Sequence, residues 1–122
     1  MNRQQVFDRV AAHLLRQNAR SMRRDRGDMC AYRGAGGLQC AVGCLITDTA
    51  YVSTLEGLGP FDASVRHALE KSGVPIDPDT SELLSDLQAV HDYEAPSAWR
   101  SQLTTLAAEY GLTFKEVSNG AA

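Results

Sequence analysis

The sequence predicts a mainly α fold, about five helices around a single core, with a small β-hairpin near residues 29–39. Three observations predict it. Apolar residues recur at i, i+4 in several separate segments, Asp, Pro and Gly stand where helices start and stop, and one glycine-rich stretch breaks the helical pattern. A chain of 122 residues suits one domain with its own core. That domain is expected over residues 1–117, with a flexible tail at 118–122.

The first helix is expected from Arg3 to Asn18, with Val6, Val10 and Leu14 on one stripe and Phe7, Ala11 and Leu15 beside it. Residues 19–29 hold Arg20, Arg23, Arg24 and Arg26 without apolar periodicity, and Gly27 adds a break, so they read as a frayed helix end or a loop. Met29–Arg33 reads as a short strand, Gly34–Gly37 as a turn that tolerates positive φ, and Leu38–Gln39 as the returning strand. A second helix is expected from Cys40 or Ala41 to about Ile46. A third spans Asp62 to Lys71, with Val65, Ala68 and Leu69 inward and Gly73 as its stop. Val74–Pro78 is an extended connector. Asp79 then caps a fourth helix, with Glu82 as its capping-box partner and Leu83, Leu84, Leu87, Val90 and His91 inward. Pro96–Ser97 opens a fifth, which carries Trp99, Leu103, Leu106, Ala107 and Tyr110 and ends at Gly111.

Composition narrows the function classes. No apolar run approaches the roughly 20 residues that span a bilayer, so no membrane role is expected. Arg9, His13 and Arg16 interrupt any apolar core of signal-peptide type, which points to a cytoplasmic location with reduced cysteines. The net charge of −3 hides an asymmetry. Residues 1–33 carry eight arginines against three aspartates, or +5; the remainder carries two arginines and two lysines against twelve acids, or −8. Such a split fits either an internal electrostatic match or a basic face for an anionic partner.

The densest chemistry lies between Cys30 and Cys44, which holds all three cysteines and four of the ten glycines. A cysteine at a helix N-terminus is biased toward thiolate. Cys40 is therefore the candidate nucleophile, with His91 as base and Asp92 as its orienting group. The opposing reading, which we favour, makes Cys40 and Cys44 small buried apolar residues one helical turn apart. Cys30, Cys40, Cys44 and His91 would form a Cys₃His set, but their C-x₉-C and C-x₃-C spacings suit zinc poorly. No metal and no cofactor is expected. The glycine run lacks the phosphate-binding patterns.

Two surfaces are candidates for binding. Arg16, Arg20, Arg23 and Arg24 fall at helical spacing and would form one basic stripe if the first helix continues; Arg26 and Arg33 extend the set. An overall pI near 5.5 weighs against nucleic acid as the partner of that stripe. Asp77, Asp79, Glu82, Asp86, Asp92 and Glu94 form the second surface, suited to a basic protein partner.

Cys30-Ala-Tyr-Arg33, Gly37-Leu-Gln-Cys-Ala-Val-Gly-Cys-Leu-Ile46, Tyr51 and Leu55-Glu-Gly57 make a pattern of the form C-x-Y-R…G-x-x-C-A-x-G-x-L-I. With Leu83–Gln88, His91-Asp92 and Trp99, it resembles a family of small uncharacterised bacterial, prophage and phage proteins. The resemblance implies an accessory protein of bacterial or mobile-element origin and carries no catalytic residue. The expected function is thus a small, non-enzymatic, phage-related binding protein acting through protein–protein contacts and modulating a host system. A Cys40–His91 enzyme and an arginine-mediated nucleic-acid binder are the alternatives.

Overall fold

The structure, a computed structural model, describes residues 1–23 and 30–114. Helix α1 runs over Arg3–Gln17. The Asn2 side chain accepts the Gln5 N–H, and the Gln5 side chain accepts the Asn2 N–H, both at 2.8 Å, so two of the orphan donors of the first turn are satisfied. Asn18 closes the helix in the left-handed region, φ 51°. Helix α2, Ala63–Lys71, is capped by Asp62 and followed by Gly73 at φ 86°. Helix α3 covers Pro78–Tyr93 and helix α4 covers Trp99–Glu109, the latter entered through a 3₁₀ turn at Pro96–Ala98. Gly111 follows α4 at φ 67°.

The cap of α3 is Asp77 rather than the expected Asp79. Pro78 lacks an N–H and has φ preset for a helix, so it sits at the first helical position and moves the cap to the residue before it. The Asp77 carboxylate accepts both the N–H and the hydroxyl of Thr80 at 2.9 Å. Asp79 falls in the first turn, where its charge suits the dipole.

The amphipathic stripes converge as their spacing predicts. Phe7, Leu14, Leu83, Leu87, Trp99 and Leu103 are wholly buried, and α1, α3 and α4 pack against one another. Phe114 returns from beyond α4 to stand edge-on to Phe7, ring centroids 5.6 Å apart.

The expected helix from Cys40 to Ile46 is only a 3₁₀ turn, Gly43–Leu45. Cys40, Ala41, Val42, Gly43, Leu45 and Ile46 are buried and Cys44 is partly buried. Gly43 lies flat on the chain at Tyr32: a Cβ there would stand 2.1 Å from the Tyr32 carbonyl oxygen. The mainly helical fold class thus holds, with four α-helices among the described residues.

The expected hairpin shrinks to an isolated antiparallel bridge, Arg33 with Gln39, around a turn in which Gly36 and Gly37 have φ 72° and 78°. On its outer side, α1 takes both backbone groups of Gln39. Gln17 accepts its N–H at 2.9 Å, and its carbonyl meets Gln17 Nε2 and His13 Nε2 at 2.8 and 2.9 Å. A second bridge pairs Met22 with Cys30. The expected tail at 118–122 and the domain end at 117 lie outside the described residues. Among the described residues, no helix is long and apolar enough to cross a membrane.

Candidate functional site

The last turn of α3 delivers His91 and Asp92 to the place where residues 21–22 meet residues 30–32. His91 is wholly buried and stacked on Trp99, ring centroids 5.6 Å apart. The Ser21 backbone N–H donates to His91 Nε2 at 2.9 Å. A backbone N–H can only donate, so Nε2 carries a lone pair and the ring proton sits on Nδ1. That proton is given to Asp92 Oδ1 at 2.7 Å. Gln88 Nε2 donates to the same oxygen at 2.8 Å, and Gln88 Oε1 accepts the Val42 N–H at 3.0 Å. Desolvation pushes the Asp92 carboxyl up, but the hydrogen bonds from His91, Gln88 and Cys30 together pull it below its ordinary value. Asp92 is therefore a carboxylate held at one oxygen by two donors that are themselves tied to backbone.

Asp92 forms part of the floor of an open pocket of about 440 Å³, which Cys30, Tyr32, Cys40, Leu58, Pro60 and Tyr93 also line. The Tyr32 hydroxyl donates to the Leu58 carbonyl across it. Tyr93 is 80 % exposed at its edge, and Phe61, 56 % exposed, follows the loop that forms one wall. Tyr93 also borders a smaller groove of about 270 Å³ between α3 and α4, lined by Asp86, Glu94 and Glu109 among others.

The structure brings together part of what the sequence singled out. Cys40 lines the same pocket as Asp92 and does accept an N–H, from Gly43 at 3.3 Å, as a residue at the start of a helical turn should. Burial outweighs that contact: Cys40 is 1 % exposed, and desolvation drives its thiol well above the ordinary value, not below it as expected. Both ring nitrogens of His91 are committed, to Ser21 and Asp92, so His91 has no lone pair to serve as base for Cys40. Burial, with Asp92 beside it, pushes the Cys30 thiol up to about 12, and burial pushes Cys44 to about 12. None of the three is poised as a nucleophile.

Cys30, His91 and Asp92 each place one potential ligand atom within 4.8 Å of the others. Of the Cys₃His set, only Cys30 and His91 belong to this group. A metal on His91 Nδ1 would require the ring proton to move to Nε2, where it would face the Ser21 N–H.

The arginines do not form the expected stripe, because α1 ends at Gln17. Arg16 is exposed in the last turn of α1, whereas Arg20 turns inward and donates to the Glu94 carbonyl at 2.8 Å. Arg23 is partly buried, and its charge reaches Tyr51. Arg33 lies over the Tyr51 ring, 4.4 Å from its centroid, and pairs with Asp48 at 2.8 Å. Arg24 and Arg26 lie outside the described residues.

Sequence reasoning missed Glu56. Its carboxylate accepts the backbone N–H groups of Tyr32 and Arg33, at 2.9 and 3.1 Å, and the Tyr51 hydroxyl at 2.7 Å. It thereby fastens the loop that walls the pocket to the segment that floors it. The signal available was the Leu55-Glu-Gly57 triplet within the resemblance pattern. No protein-family model, curated protein or solved structure matches the chain.

Proposed function

We propose that this chain is a non-enzymatic binding protein that engages a basic protein partner through the face around Tyr93. The observation that carries the reading is the pairing of that exposed aromatic side chain with two acidic grooves. Their described linings contain four carboxylates, Asp86, Asp92, Glu94 and Glu109, and no lysine or arginine. A large ring in reach of a partner, flanked by carboxylates, combines the two things protein interfaces use: an aromatic anchor and complementary charge. Leu58 in the pocket wall and Phe61 beyond it extend the apolar part of the surface. The state of the thiols and of His91 supports binding over catalysis, since the three cysteines hold their protons and His91 has both ring nitrogens engaged. An accessory role in a bacterial or phage setting accords with the sequence resemblance.

The test is affinity capture from native lysate with the tagged wild-type chain beside Tyr93→Ala and Glu109→Lys variants. A protein retained by the wild type, eluted by moderate salt and lost from both variants supports the reading. Recovery of nothing above the empty matrix, or equal recovery by the variants, refutes it.

A further inference from the structure

We propose that the pocket floored by Asp92 receives the ammonium group of a lysine side chain. The source of that lysine rests on the reading above, a basic partner protein; the chemistry of the pocket does not.

Four features of the pocket select this ligand. The first is charge: Asp92 supplies a carboxylate, and no described lysine or arginine lines the walls to neutralise it. Arg20, whose charge reaches Cys30, has its guanidinium on the Glu94 carbonyl and is not part of the lining. The second is the number of free oxygens. The His91 and Gln88 donors both occupy Oδ1, and the Cys30 thiol, which lies 3.9 Å from Met22 Sδ, is at most a weak third donor to the carboxylate. Oδ2 remains. A guanidinium makes its strong contact as a fork across two oxygens, and one oxygen cannot supply that. An ammonium is a compact point charge and needs only one.

The third feature is the wall. Leu58, Pro60 and the rings of Tyr32 and Tyr93 offer apolar surface for the four-carbon stem, with the Tyr93 face open to a cation. The volume, about 440 Å³, lies in the range of ordinary ligand pockets. The fourth is preorganisation. Asp92 is fixed by His91 and Gln88, and these are fixed by the Ser21 and Val42 backbone N–H groups, so little order is lost on binding. A metal ion is the competing cation. With His91 unable to ligate, Cys30 and Asp92 remain from the cluster, fewer than the three protein ligands an open zinc site uses.

The experiment is an NMR titration of the ¹⁵N-labelled full chain with Nα-acetyl-lysine amide, Nα-acetyl-arginine amide and Nα,Nε-diacetyl-lysine amide. The lysine amide should shift the amides of Cys30, Tyr32, Asp92 and Tyr93 saturably. The arginine probe should bind at least fivefold more weakly and the diacetylated probe at least tenfold more weakly. Tyr93→Ala removes a side chain that is 80 % exposed, so the fold is kept, and it should weaken the lysine probe about threefold. Asp92→Asn should abolish binding. A Gly-Lys-Gly tripeptide, blocked at both ends, should bind at least as tightly as the single amide. Absence of saturable shifts at these residues, equal affinity for the three probes, or an unchanged affinity in Tyr93→Ala overturns the proposal. Rejection of the tripeptide overturns a protein as the source. Lysate capture is independent of these probes: a probe that binds while capture fails leaves the pocket standing and removes the partner reading.

Discussion

Replacing Glu56 by alanine removes the acceptor of three hydrogen bonds at once. Two come from consecutive backbone N–H groups, Tyr32 and Arg33, and one from the Tyr51 hydroxyl. Hydrogen bonds to a charged acceptor contribute about 1.5–3 kcal/mol each when well shielded. Glu56 is only half-buried, so water competes for every donor, and each bond falls at or below the low end of that range. The expected loss for Glu56→Ala is therefore about 3 kcal/mol, a large share of a small domain's stability. Glu56→Gln keeps one acceptor oxygen but turns an NH₂ toward a donor, and should lose about 1–2 kcal/mol. Tyr51→Phe removes one donor, keeps the ring under Arg33, and should cost about 1 kcal/mol. In the Glu56→Ala background the same Tyr51→Phe change should cost close to nothing, because the bond it deletes is already gone. Urea unfolding followed by circular dichroism reads these differences as shifts in midpoint at constant slope. A loss below about 0.5 kcal/mol for Glu56→Ala, the range of an ordinary surface substitution, refutes the clamp.

Gly43→Ala would place a methyl group 2.1 Å from the Tyr32 carbonyl oxygen, a backbone atom that cannot swing away, whereas Gly59→Ala meets nothing within 4 Å. The first should cost more than about 2 kcal/mol or give insoluble protein, the second stay within about 0.5 kcal/mol, and thermal melts that show equal effects would contradict the packing. Iodoacetamide should label no thiol of the native chain at neutral pH at the rate of free cysteine. With Cys30 and Cys44 near 12 against an ordinary 9.0, their thiolate fraction falls by roughly a thousandfold, and rapid labelling of any single cysteine would be evidence against the burial described. Stability should fall in alkali. A thiol or phenol whose folded value is raised holds its proton more tightly when folded, so its contribution is complete below the unfolded value and is lost as pH climbs toward the folded one. For Cys30 and Cys44 that window runs from 9.0 to about 12, and for Tyr51 from 10.0 to about 12. Denaturant midpoints that stay flat from pH 8 to pH 11 would exclude it.

The four helices were legible because their information is local. Val6, Val10 and Leu14 share a face whatever surrounds them, Asn2 and Asp62 cap by contacts within three residues, and Gly73 and Gly111 stop helices through their own φ. The inward position of His91 followed from the same periodicity. The segment after Cys40 misled for a reason equally physical. Its apolar spacing does not encode that Gly43 is pressed on the Tyr32 backbone, a contact made across the fold. The arginines misled because three of the four at helical spacing, Arg20, Arg23 and Arg24, lie beyond the point where Asn18 turns the chain.

By itself, then, the sequence determined a mainly helical domain, the faces its helices bury and the segment from Cys30 to Cys44 as the unusual part. Tertiary structure decided how that region is built. The Ser21 N–H reaches His91 across seventy residues and settles which ring nitrogen carries the proton. Gln88 and His91 both hold Oδ1 of Asp92, a residue that lines the pocket, and Glu56 ties the wall to the segment at Tyr32 from more than twenty residues away. Burial, set by the packed neighbours of Cys40, reversed the direction in which its thiol shifts. Hydrogen-bond direction and desolvation depend on which groups meet in space, and no spacing along the chain encodes that meeting.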